Sequence, residues 1–519
     1  MQSKYLNTVL LAVLVLLVSS CKKFLDVKPV GKLIPTKAEE LENLLNNSNT
    51  LDYHFIDNNR GSYYALLGDN FKISENQAKY QYVSTHPNID RYAAYTFYLP
   101  YENPNKPQYA WDWGIYRALG LFNNVIEGVK ELPGASASEL GKLITAQAKA
   151  GRAWSMMVGT IGYGPMFDPN GPNDTKVLPY RTSANPNTPN PDLSTTAGAF
   201  ALIEQDLKDA LAATPNNVAN PSRANLSAVH ALMAQLYMYK RDWPKMLEHA
   251  KEAWTRSLAV KGGVDNMIYN FNTFYYKPNP NASPSPGTDV EVALELQGPD
   301  LLLNQSDNRE NLFFRLSPSG TSHYPSQEFL DLFDKATDRR YQLFALKTLG
   351  YSTTVANVKY DDGVVTKYYR DSKMLGSQGI TYPELLLMKA EASARLNDLG
   401  TALTDLNLLR KYRYSGANTD LANGAALSQD NLLFEILKER RREMPIGTFQ
   451  RVFDIKRYVL DAGKPWSKTS ITHNVGTKVY TGAINNANYS MRISNNVILL
   501  NPQWGLTPWS GTYDPTSNR

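Results

Sequence analysis

The chain opens on an apolar run, Val9 to Val18, and no later run comes near the length needed to cross a bilayer. Ten helical residues cover about 15 Å, half of a hydrocarbon core about 30 Å thick, so this run is too short to span. With Lys4 before it and the small Ser19 and Ser20 after it, residues 1–20 read as an export signal. Residues 21–35 contain Pro29, Gly31 and Pro35, which favour an extended surface tether. Helix is expected from Thr36, where Thr36 and Glu39 have capping-box spacing and Leu41, Leu44 and Leu45 follow at helical intervals. Between Leu51 and Tyr109 aromatics are scattered without a helical period, so short helices joined by long loops are expected. The period returns at Trp113, Tyr116, Leu119 and Val125-Ile126. A second helix follows and stops at Tyr163-Gly164-Pro165, with Gly164 as a left-handed cap.

Two later segments share one scheme. In "LSAVHALMAQLYMYKRDWPKMLEHAKEAW", Ala234, Tyr237, the turn Asp242-Trp243, Met246, Ala250 and Ala253 have the small and large offsets of a tetratricopeptide unit. "LLLMKAEASARLNDLGTALTDLNLLRKYR" repeats them with Ala390, Asn397-Asp398, Ala402, Leu406 and Leu409. Small residues let paired helices approach, and one pair alone leaves apolar faces bare, so the pairs must stack. The expected fold is mostly α. Tetratricopeptide-like helix pairs near 105–165, 199–256 and 380–414 form a scaffold with long irregular loops and a few short β-strands, all in one domain over 36–519. "KPNPNASPSPGTD" reads as a loop and "VEVALELQG" as a short strand.

Composition narrows the chemistry. Lys and Arg (54) barely outnumber Asp and Glu (49), and no basic block stands out, which argues against nucleic acid as a partner. Tyrosine is abundant, 32 residues beside 8 Trp and 17 Phe, and suits binding faces that stay wet when empty. The single cysteine, Cys21, directly follows the signal, and Val18-Ser19-Ser20-Cys21 resembles a bacterial lipobox. In such a box the thiol is acylated, and several acyl chains anchor durably. The alternative is a buried or reactive free thiol. The six histidines lack the spacing of a helical zinc site, and no phosphate loop or nucleophile elbow is present. Paired carboxylates of a glycosidase leave no linear motif. "FDPNGPND" could hold calcium through Asp168, Asn170, Asn173 and Asp174, but reads first as a Pro/Asn turn. No cofactor and no metal are expected. Trp113, Trp154 and Trp243 read as core, and "ERRREM" at 439–444 as ion pairs on a helix.

The order of these segments resembles the SusD/RagB family of surface lipoproteins. The resemblance rests on Cys21, "WDWGIYRALGLFNNVIEG", "GRAWSMMVGTIGYGPMF", "IEQDLKDALAATP", "HYPSQEFLDLFDKATDRR", "YPELLLMKAEASARLNDLGTALTDLNLLR", "ILKERRREM" and "RVFDIKRY". Pro445 and Ile446, and "RISNNVILLNPQW" near the end, depart from the family pattern. The resemblance implies a non-enzymatic protein, lipid-anchored at Cys21 on the cell-surface side of the outer membrane. It would capture oligosaccharide and act as the lid of a TonB-dependent, SusC-like β-barrel transporter. Rival readings are peptide cargo, a degradative enzyme of the same nutrient system, and a tetratricopeptide assembly adaptor. Family ligand contacts come from N-terminal loops. That points to Tyr63, Tyr64, Tyr82, Tyr92, Tyr95, Tyr98 and Tyr101, with Asp69, Asn70, Asp90 and Arg91 as polar partners.

Overall fold

The computed structural model describes residues 35–51, 63–83, 88–279, 293–299, 305–316, 324–368 and 377–518. The export signal, Cys21 and all but the last residue of the tether lie outside the described residues.

Eleven helices of seven or more residues carry the architecture among the described residues: α1 Ala38–Leu44, α2 Asn88–Tyr95, α3 Tyr116–Glu131, α4 Glu139–Tyr163, α5 Thr196–Leu211, α6 Leu226–Lys240, α7 Trp243–Lys261, α8 Tyr382–Arg395, α9 Leu399–Arg413, α10 Gln429–Glu443 and α11 Gln450–Tyr458. Their starts are set by side-chain caps. Ser138, Thr195, Asn225, Thr381 and Ser428 each accept a backbone N–H of the first turn of α4, α5, α6, α8 and α10. Helix α1 begins two residues later than expected, and Glu40 rather than Glu39 reaches back to Thr36. Gly164 ends α4 in an extended conformation, not as a left-handed cap.

The repeat has a common turn. Arg241 and Asn397 take the left-handed conformation (φ 60° and 63°), and the aspartate after each caps the next helix, Asp242 on Lys245 and Asp398 on Thr401. Ala234, Ala250, Ala253, Ala390 and Ala402 are all fully buried, so α6 packs closely on α7, α8 on α9, and α7 on α8. The pair α3–α4 extends the stack through α5, and Gly151 of α4 sits where a Cβ would meet the Phe122 ring at 2.4 Å.

Helix α10 is not the solvated face its charges suggest. Glu439, Arg440, Arg441, Arg442 and Glu443 are all buried. Arg340 meets Asp338, Glu439 and Glu443; Arg413 meets Glu310 and Glu443; Arg440 meets Glu384 and Asp454; Arg457 meets Glu391 and Asp454. Each guanidinium is matched by carboxylates, which offsets the cost of taking charge out of water.

The longer strands form hairpins. β1 Tyr275–Asn279 pairs with β2 Ala293–Gln297, so the segment expected as loop from Lys277 begins as strand. β3 Ala345–Leu349, β4 Ser352–Val355, β5 Val358–Asp361 and β6 Val364–Tyr368 make one long arm, reversed at Ala356-Asn357, both at positive φ. β7 Ser470–Val475 pairs with β8 Lys478–Ala483. In "FDPNGPND" the Asp168 and Asn173 side chains bond back to their own turn.

Candidate functional site

A cleft of about 380 Å³ opens where four distant stretches meet: Tyr63, the loop Leu99–Gln108, the stretch 486–492 after β8, and Trp509 of the C-terminal tail. Tyr63, Tyr101 and Trp509 give it aromatic surface, with Leu99, Pro100 and Met491 beside them. Glu102, Gln108, Asn486, Ser490 and Arg492 supply polar groups. The Tyr63 and Tyr101 rings lie 6.1 Å apart, tilted by 47°.

Each wall is tied to the helical scaffold. The stretch 486–492 is held at Tyr489 and Met491: the Tyr64 hydroxyl donates to the Tyr489 carbonyl (3.0 Å), the Tyr489 hydroxyl donates to Leu67 O (3.0 Å), and Met491 N–H donates to Gly162 O (2.8 Å). The buried ammonium of Lys456 in α11 donates to the carbonyls of Tyr489 (2.9 Å), Gly164 (2.7 Å) and Ile161. The Gln108 amide donates to Arg492 O at 2.6 Å, joining two walls directly.

The polar chemistry is unusual in one respect. Glu102 is buried, and desolvation, reinforced by Asp90, holds its carboxyl well above the ordinary range while the Tyr109 N–H opposes. It therefore keeps its proton, and can donate, under conditions where an exposed glutamate cannot. Tyr101 Oη and Gln108 Oε1 are buried and have no hydrogen-bond partner among the described residues. Such groups are costly to leave unmatched.

Of the eleven side chains expected from the sequence as ligand contacts, Tyr63 and Tyr101 line this cleft. The other nine stand elsewhere. Tyr64 is buried edge-on against Phe453, and Tyr82 is fully buried. Tyr92 is buried with its hydroxyl 3.4 Å from that of Tyr480. Tyr95 is buried and stacks on His473. Tyr98 is half-buried, and Arg91 bonds Asn88. Asp90 is buried and accepts from the Tyr513 hydroxyl. Asp69 is gripped by Arg441, Arg451 and Lys468, which hold its carboxyl well below the usual range against the cost of burial, and Asn70 accepts from Arg441.

Gln108, Asn486, Ser490, Arg492 and Trp509 carry no linear signal, because they reach the cleft from both ends of the chain. Trp154 is core as expected. Trp113 is not: it is 39% exposed and faces Tyr109 with ring centroids 4.7 Å apart, one turn beyond Gln108. A second cleft of about 260 Å³ lies between 217–225 and 306–312. Its asparagines serve turns, Asn225 capping α6 and Asn308 accepting from Glu310, and its one aromatic, Tyr382, is buried. It lacks an apolar platform.

Residues 350–504 match the model of the SusD family. The fold is similar to that of solved structures over nearly the whole chain. A SusD superfamily protein from Bacteroides thetaiotaomicron VPI-5482 superposes with a TM-score of 0.60 at 18% identity, covering 90% of this chain and 98% of that one. A SusD-like carbohydrate binding protein from Bacteroides vulgatus ATCC 8482 does so at 0.57 and 18%, covering 92% and 100%. A SusD superfamily protein from Bacteroides fragilis gives 0.59 and 18%, covering 91% and 99%. None of the curated proteins compared matches the chain. Residues 350–504 thus carry the sequence pattern of the SusD family, and the described fold is similar to that of solved SusD superfamily structures.

Proposed function

We propose that the protein captures oligosaccharide in the cleft of Tyr63, Tyr101 and Trp509 and passes it, without cutting it, to a TonB-dependent β-barrel transporter for which it is the lid. Acylation at Cys21 would hold it on the outer-membrane surface. The observation that carries this reading is the makeup of the cleft. Sugars present apolar C–H faces edged by hydroxyls, and the cleft is lined by aromatic rings beside amide, hydroxyl, guanidinium and carboxyl groups in a volume suited to a small ligand. The carbohydrate binding ascribed to the fold-mate from Bacteroides vulgatus supports it. Capture without hydrolysis is supported by the carboxyl count: Glu102 alone lines the cleft among the described residues, whereas glycoside hydrolysis ordinarily uses a pair. No described helix is long and apolar enough to cross a membrane.

The test is native electrophoresis of the chain from Lys22 onward through gels containing amylopectin, xylan, galactomannan or polygalacturonate. Retardation by one glycan, weakened in Tyr101→Phe and abolished in Trp509→Ala with no release of reducing ends, is the expected result. Retardation unaffected by both changes moves the site elsewhere. Mobility unchanged in every gel, with binding to a tryptic protein digest instead, would replace sugar by peptide as the cargo.

A further inference from the structure

One wall of the cleft belongs to the C-terminal tail, and a single buried amide sets its place. Asn495 Oδ1 accepts the N–H of Trp509 at 2.8 Å, and its Nδ2 donates to the Trp509 carbonyl at 2.7 Å. It therefore grips both sides of one residue's backbone, as a neighbouring β-strand would. The remaining Nδ2 hydrogen goes to Asn105 Oδ1, at 2.7 Å, on the loop that forms another wall. Both hydrogens of that amide are committed, and Asn495 N–H is fixed in turn on Pro104 O.

A separate observation concerns the ring. A Cβ at Gly511 would stand 2.5 Å from Cζ2 and 2.9 Å from Cε2 of Trp509, so the tail folds back under the indole, and only a residue without a side chain leaves the ring in place. Two residues on, the Tyr513 hydroxyl donates to Asp90 and lies 3.1 Å from the Tyr101 carbonyl, which closes the tail over the loop.

We propose that Asn495 and Gly511 are positioning residues for cargo selection: together they hold the Trp509 indole as an apolar wall of the cleft that Tyr101 also lines. The assignment of cargo rests on the oligosaccharide reading above, but the placement of the ring does not. Asn495 touches no ligand in this scheme and acts through Trp509.

The test has two arms. In protein labelled with 5-fluorotryptophan, the Trp509 ¹⁹F resonance is identified by its absence in Trp509→Phe. In Asn495→Ala and Gly511→Ala it should shift and acquire the solvent isotope response of an exposed indole, while the other seven resonances stay in place. In the second arm, the dissociation constant for whichever of the four gel polysaccharides retards the parent should rise at least about tenfold in both variants, close to its value in Trp509→Ala. A Trp509 resonance unmoved in both variants overturns the positioning role. A moved resonance with unchanged retardation overturns the role in selection. If no polysaccharide retards the parent, the sugar reading fails, and the resonance alone decides whether Asn495 and Gly511 place the ring. Gly511→Ala lies on the surface tail, so it keeps the test valid should the buried Asn495 variant fold poorly.

Discussion

The Nδ1 atoms of His230 and His249 lie 3.0 Å apart across the α6–α7 interface. Only one proton fits between them, so the pair is stable with one ring donating and the other accepting. Burial, together with the neighbouring imidazole, lowers His230 to about 4, and His249 is lowered as well, mainly by burial. A folded-state pKa below the unfolded value means that the unfolded chain binds protons first, so stability is lost as pH falls below about 6.5. Melting temperature should drop between pH 7 and pH 4.5, and the drop should be smaller in His230→Asn. Parallel melting curves for both proteins would sink the idea.

Glu102 has the opposite sign. Its raised pKa means that the unfolded chain ionises first, so its contribution is intact below about pH 4.3 and is lost as pH rises. Glu102→Gln keeps the shape and removes the ionisation. The variant should match the parent at pH 4 and exceed it in melting temperature at pH 8, by a margin that grows with pH.

Asp69 ties the turn before Phe71 to α10 and α11 through Arg441 and Arg451. Removing one member of a buried ion cluster leaves the others unmatched, at a cost of about 3–5 kcal/mol. Asp69→Asn should therefore lose about that much stability in urea titration, and the parent should lose the same advantage in acid as the carboxylate is protonated. A variant as stable as the parent would show that the cluster is solvated.

Gly151→Ala tests the closeness of α3 and α4. The added methyl would meet Phe122 at 2.4 Å, so the ring must move, and overpacking of this kind costs about 1–3 kcal/mol. The neighbouring Ala150→Gly change makes no such clash and serves as the control for helix propensity.

The helical scaffold was largely legible in the sequence, because its determinants are local. Alanines recurring at Ala234, Ala250, Ala390 and Ala402, and an aspartate after each left-handed turn, write the helix pairs into consecutive residues. The cleft was legible only at Tyr63 and Tyr101. A tyrosine that packs inside, such as Tyr95 on His473, has the same sequence surroundings as one that faces a ligand. Gln108 and Trp509 are separated by most of the chain, and nothing in either neighbourhood announces the other. The burial of Arg440 and Arg441 was missed for a related reason: their partners Glu384 and Asp69 come from distant parts of the sequence.

Lys456 has three N–H bonds, and three carbonyls, of Ile161, Gly164 and Tyr489, take them all. A tetrahedral donor saturated in this way leaves no slack between the end of α4, helix α11 and the stretch that forms one side of the cleft. That side is preorganised: a ligand bound there would lose little affinity to ordering the protein around it.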